Sequence, residues 1–209
     1  MKTKEELKQY FEKGDRPTQS QFWEWMDSYW HKEELIERVI PLFDGDKFKG
    51  SSIELTIPKN AKKITSGSYI YTGMSYQITR VIFNEGLEEI ESGVFNSQNI
   101  KSIKTPSTLK IIGIAAFANQ GNMINGYDSL EEIILNEGLI TIGNYAFNCN
   151  RATIIKDLYI PNSVQTVGEN AFAIPSLENV SVRAGLDLSN AGIPATAVIT
   201  YRTTDSNDS

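Results

Sequence analysis

One sequence pattern returns five times between Leu55 and Phe172, and nothing else in the chain limits its fold so tightly. It reads LTIPKNAKKITSGSY at 55–69, VIFNEGLEEIESGVF at 81–95, IKTPSTLKIIGIAAF at 103–117, ILNEGLITIGNYAF at 134–147 and LYIPNSVQTVGENAF at 158–172. A truncated copy, VSVRAGL, starts at Val180. Each copy has two apolar residues at i and i+2, an apolar residue four steps on, Ile or Val three later, and a closing aromatic. The aromatics are Tyr69, Phe95, Phe117, Phe147 and Phe172, separated by 26, 22, 30 and 25 residues. The underlying period is therefore about 22–25 residues, with insertions.

Residues i and i+2 of a strand share a face, so each copy starts as a short strand with both apolar side chains turned inward. The later apolar residues lie on the return path and fill the same interior. One such coil has a single apolar face and cannot bury it alone. Stacked coils share a continuous core and form a parallel sheet along one side. The expected inward pairs are Leu55/Ile57, Val81/Phe83, Ile103/Thr105, Ile133/Leu135, Leu158/Ile160 and Val180/Val182. The residues between them form an outward row: Thr56, Ile82, Lys104, Ile134, Tyr159 and Ser181. Ile82, Lys104, Ile134 and Tyr159 are the candidate ligand-facing residues, although the same row could instead cover helices from elsewhere in the chain. The insertion ANQGNMINGYDS, Ala118–Ser129, is a second candidate surface, because loops on rigid scaffolds often carry recognition.

Residues 1–40 follow a helical pattern. Thr3 with Glu6 makes a capping box, Leu7, Tyr10 and Phe11 share a face, and Gly14 is a stop. A second start at Thr18 leads into Phe22, Trp25, Met26, Tyr29 and Trp30 at helical spacing, with Pro41 ending any continuation. Two helices this short cannot bury Phe22, Trp23, Trp25 and Trp30 by themselves. Either they pack on the rest of the chain or they bind another protein or copies of themselves. The expected organisation is a helical docking or oligomerisation segment at 1–40, a linker at 41–50, the repeat solenoid at 51–202 with a closing strand in ATAVITYR, and a flexible tail at 203–209.

Composition excludes several classes. The formal charge of -6 comes without a basic cluster, which argues against nucleic acid. No apolar run approaches the ~18 residues of a membrane span. Met1–Asp15 is charged and has no apolar core, so no standard export signal is expected. A single cysteine and a single histidine leave no disulfide framework and little for a zinc site.

Catalytic chemistry is equally hard to find. Asp44-Gly45-Asp46 starts like a calcium loop, but no further ligands follow at the required spacing, so it reads as a polar turn. Gly113, Gly121, Gly126, Gly138 and Gly143 form no phosphate or dinucleotide fingerprint. His31 sits in the amphipathic helix as a cap or partner contact, and Cys149 reads as a small packed residue. Glu88-Glu89 and Glu131-Glu132 read as solvated pairs at equivalent repeat positions rather than as a general acid and base. No enzymatic activity and no cofactor are expected.

The repeat, clearest in IPNSVQTVGENAF at 160–172, NEGLEEIESGVF at 84–95 and NEGLITIGNYAF at 136–147, resembles the BspA-like class of leucine-rich repeats over about two thirds of the chain. That resemblance implies a curved, mainly β solenoid that recognises proteins or mediates adhesion and has no intrinsic chemistry. The segment FEKGDRPTQSQFWEWMDSYWHKEE, Phe11–Glu34, is similar to the opening of tail-fibre and other virion proteins of phages and prophages of Bacteroidetes-type bacteria, through Gly14, Pro17-Thr18, Gln21-Phe22, Asp27-Ser28 and His31-Lys32. The expected protein is thus a non-catalytic virion component. It would attach to virion proteins or to itself through residues 1–40, and recognise a host-surface protein or glycan through the repeats. The other expectation is a bacterial adhesin or intracellular scaffold using the same repeats.

Overall fold

The computed structural model describes residues 38–44, 47–70, 76–120 and 130–203 together with Thr18, with side chains from Glu54 onward except Tyr76. The helices expected over 1–40 fall almost wholly outside these residues, as do Phe22, Trp23, Trp25, Trp30 and His31, and so do positions 121–129 of the insertion. Every described residue from Arg38 on belongs to one compact unit, Glu37–Ser209.

The segment expected to link two parts is instead a β-hairpin. Strand β1 (Arg38–Asp44) pairs antiparallel with β2 (Lys47–Thr56), from Arg38 opposite Glu54 to Asp44 opposite Lys47. Val39, Ile40, Leu42 and Phe43 favour strand, and Asp44-Gly45 is a strong hairpin-turn signal. Pro41 is tolerated because β1 is an edge strand, where a missing amide donor costs little.

The repeats follow as coils, each with a long-side strand and a short-side strand. The long-side strands are β2, β4 (Tyr76–Ile82), β6 (Ser102–Lys104), β8 (Glu132–Ile134), β10 (Asp157–Tyr159) and β12 (Asn179–Arg183), closed by β13 (Val198–Arg202). The short-side strands are β3 (Lys63–Ile64), β5 (Glu89–Ile90), β7 (Ile111–Ile112), β9 (Thr141–Ile142) and β11 (Thr166–Val167). A parallel sheet on one side was the expectation; the solenoid has parallel ladders on both. The short-side strands form one continuous five-stranded sheet, β3-β5-β7-β9-β11, whereas the long side is divided. There β2 pairs with β4, β6 with β8, and β10 with β12 and β13, while no ladder joins β4 to β6 or β8 to β10. The long-side ladders thus join the coils in pairs, although the Asn99 and Lys101 amides still donate to the Ile78 and Thr79 carbonyls across the first break at 3.0 and 3.1 Å.

The core is the interior that the pattern predicts. Leu55, Ile57, Val81, Ile103, Ile133, Leu135, Leu158, Ile160, Val180 and Val182 are all buried, Thr105 is buried with them, and Phe83 is half-buried. Tyr69, Phe95, Phe117, Phe147 and Phe172 form one column of parallel rings, with successive centroids 5.5, 5.3, 5.3 and 5.6 Å apart. That spacing follows from strands stacked at about 4.8 Å, close to the favourable range for offset rings. The residue two before each aromatic has positive φ: Gly67, Gly93, Ala115, Tyr145 and Asn170. The sharp corner into the aromatic is therefore a property of the coil, imposed on Ala115 and Tyr145 although neither residue favours it.

Candidate protein-binding face

On the long side the outward row is in cross-strand register. Thr56 stands beside Ile82, Lys104 beside Ile134, and Tyr159 beside Ser181, with Thr200 of β13 next to Ser181. The row is less apolar at its surface than the alternation suggested. Lys104 and Tyr159 are exposed, but Ile82 and Ile134 are half-buried.

The two breaks in the ladder are spanned by carboxylates. Glu85 accepts the Ser107 amide at 3.1 Å and the Ser107 hydroxyl at 2.8 Å. Glu137 accepts the Asn162 and Ser163 amides at 2.9 and 3.0 Å. Each belongs to an Asn-Glu-Gly motif whose asparagine side chain donates back to the preceding coil: Asn84 to the Ile57 carbonyl, Asn136 to that of Thr105. The glycine amides of Gly86 and Gly138 donate forward to the Thr108 and Ser163 hydroxyls, each at 2.9 Å. The motif therefore bonds backward alongside a strand ladder and forward where there is none. The Ser107 amide and hydroxyl hold the Glu85 carboxyl below its ordinary range. Partial burial pushes Glu137 up, but the hydrogen bonds from Asn162, Ser163 and Tyr159 together outweigh it and the group also lies low.

At the second break Tyr159 crosses from the fifth coil to the fourth. Its hydroxyl lies 3.3 Å from Glu137 Oε1, and the Arg202 guanidinium sits 4.0 Å above its ring. Arg202 itself donates to the Ile160 carbonyl, to Asn162 Oδ1 and to Ser181 Oγ, so the closing strand fixes the ring. At the first break the surface opens into a groove of about 310 Å³, lined by Arg80, Ile82, Phe83, Glu85, Lys104 and Pro106 among others.

The carboxylate pairs do not occupy equivalent positions, contrary to the sequence expectation. Glu88 and Glu89 flank the start of the short-side strand β5, while Glu131 and Glu132 lead into β8 on the long side. LEEI and LEEI at 87–90 and 130–133 are identical strings, which is why sequence alone aligned them. Both pairs meet lysines of a neighbouring coil, Glu88 with Lys62 at 3.0 Å and Glu131 with Lys101 at 3.5 Å. Such exposed pairs contribute little stability.

A buried polar column escaped the pattern. Gln98 Oε1 accepts the Ile78 amide at 2.8 Å and its amino group donates to the Tyr69 carbonyl. One coil later Gln120 accepts from Ile100 at 3.1 Å and donates to Phe95 at 2.7 Å. Cys149, buried as expected, takes the next place with Sγ 3.6 Å from the Phe117 carbonyl. Gln98 and Gln120 lie three residues after their aromatics, and that spacing was the available signal. Gln120 also shows that the start of the long insertion belongs to the scaffold.

The model of the BspA-type leucine-rich-repeat region, six copies long, matches residues 43–124 and 121–193. The chain belongs to that family. A crystal structure of the pneumococcal vaccine antigen PcpA is similar at a TM-score of 0.47 and 18% identity, over 73% of this chain and 51% of that one. The BspA-type chain thus spans about half the length of that antigen's chain. No curated protein sequence matches it at a significant level.

Proposed function

We propose that the chain is a non-catalytic recognition protein whose long-side face binds another protein. The observation that carries this reading is the outward row from Thr56 to Thr200, in register within each of its three ladders, set on stacked coils and interrupted by a groove. Leucine-rich repeats generally mediate protein binding, and an array of fixed side chains loses little entropy on association. The absence of catalysis rests on one histidine, one cysteine and no cofactor motif in the sequence. A photo-reactive side chain placed at Ser181, on the long side, should cross-link a partner. The same group at Thr166, on the short side, should not. Cross-links formed only from position 166 would reverse the assignment of the face.

A narrower reading rests on the likeness of Phe11–Glu34 to virion proteins: a phage or prophage fibre or appendage, attached through residues 1–40. The neighbouring genes decide it. Capsid, portal and tail genes beside this one support the virion reading, and host genes there favour an adhesin or scaffold of the same family.

A further inference from the structure

The repeat itself shows what a break in the long ladder holds. At the second break the Tyr159 ring lies between the Glu137 carboxylate, 3.3 Å from its hydroxyl, and the Arg202 guanidinium, 4.0 Å from its centroid. At the first break the carboxylate and the apolar neighbours recur without a ring and without the arginine. Glu85 stands where Glu137 does, Ile82 where Ile134 does, Phe83 where Leu135 does, and Pro106 where Pro161 does. The counterpart of Tyr159 is Lys104, and the place is an open groove of about 310 Å³.

The groove's chemistry selects its occupant. Ile82 and Phe83, both half-buried, supply apolar surface to the lining. Among the described residues Glu85 accepts hydrogen bonds from the Ser107 amide and hydroxyl, and a carboxylate keeps further lone pairs for a phenolic donor. Lys104 is exposed and, among the described residues, makes no ion pair, whereas Arg80 is held by Glu54 at 3.2 Å. A lysine over a ring is the counterpart of Arg202 over Tyr159. The ionised Glu85 disfavours an acidic ligand. At about 310 Å³ the groove lies at the small end of the roughly 300 to 1,000 Å³ of ligand pockets, which is room for one large side chain.

We propose that this groove is a docking site for a tyrosine side chain of a partner protein, its hydroxyl on Glu85 and its ring beneath Lys104. The proposal rests on the long-side face being the binding face. The test titrates isotope-labelled full chain with N-acetyl-tyrosinamide and follows amide shifts by NMR. Saturable shifts centred on Ile82, Phe83, Lys104 and Ser107 are expected. N-acetyl-phenylalaninamide should bind about fivefold more weakly for want of one hydrogen bond. Lys104→Tyr should abolish the response, because its own ring then takes the place that Tyr159 takes one break later. Lys104→Ala should leave it saturable but several-fold weaker. Equal binding of the two probes, or an undiminished response in Lys104→Tyr, would overturn the proposal. Saturable shifts around Ser181 and Thr200 instead would sink the groove while sparing the long-side face. Shifts confined to the short side would sink both.

Discussion

The rings of Phe117 and Phe147 lie 5.3 Å apart with 6° between their planes, although 30 residues separate them in sequence. Insertions lengthen the chain between coils without disturbing the stack, because each aromatic is placed by the corner two residues before it. Phe147 is fully buried, with Phe117 on one face and Phe172 on the other. Phe147→Ala therefore removes contacts on both sides and should cost about 3–5 kcal/mol. Chemical denaturation measures this, and a loss below about 1 kcal/mol would contradict the register.

Backbone positions make an independent test with opposite signs. A Cβ added at Gly143 would lie 2.7 Å from the Gly113 carbonyl carbon of the preceding coil. Neither backbone can yield without parting the short-side ladder, so Gly143→Ala should destabilise by about 1–3 kcal/mol. Ala115 has φ 52°, a conformation that suits glycine. Ala115→Gly exchanges left-handed strain for extra freedom of the unfolded chain and should be neutral or stabilising by up to about 1 kcal/mol. Equal losses from both changes would show that the coils are not spaced as described.

What the sequence revealed depended on period. The inward residues of each strand share a spacing, so the core and the outward row of Ile82, Lys104, Ile134 and Tyr159 were legible from alternation alone. The short-side ladder was not, because two residues such as Thr141-Ile142 have no alternation to read. The hairpin of β1 and β2 was hidden by Pro41, which marks a break in most contexts but sits on an edge here. The setting of Tyr159 depends on Arg202, which lies beyond the last repeat copy, so no comparison among copies could find it. The division of the long side into pairs was written in the alternation of Asn-Glu-Gly with Pro-containing coils. Its meaning needed the Glu85 to Ser107 and Glu137 to Asn162 bonds.

Acid should loosen the stack between coils. Glu91 is held at about 2 by the Lys63 ammonium and the Ser66 amide and hydroxyl, well below its ordinary 4.5. Glu85 and Glu137 are shifted the same way. A carboxylate whose folded value is depressed stabilises fully above its unfolded value and loses that contribution as pH falls toward the folded one. Melting temperature should therefore hold steady down to about pH 5 and fall from there to about pH 2. The double variant Glu85→Gln/Glu137→Gln should start lower at neutral pH and decline less steeply. A parallel decline would mean that these carboxylates do not join the coils.

The hairpin also moves the point at which the chain should be cut. The expected boundary after residue 40 passes through β1, whose partner β2 is the first long-side strand of the solenoid. A fragment 37–209 keeps that cover and should fold as the repeats do in the full chain. A fragment 47–209 leaves the backbone donors and acceptors of β2 open along one edge, which invites pairing between copies. Light scattering should then find 37–209 monomeric and 47–209 associating. If residues 1–36 mediate assembly, as the clustering of Trp23, Trp25 and Trp30 suggests, the full chain is oligomeric and Trp25→Ala weakens it by about 2 kcal/mol or more. A monomeric full chain together with an unfolded 37–209 fragment would show that the first residues cap the solenoid, and the docking role would be withdrawn.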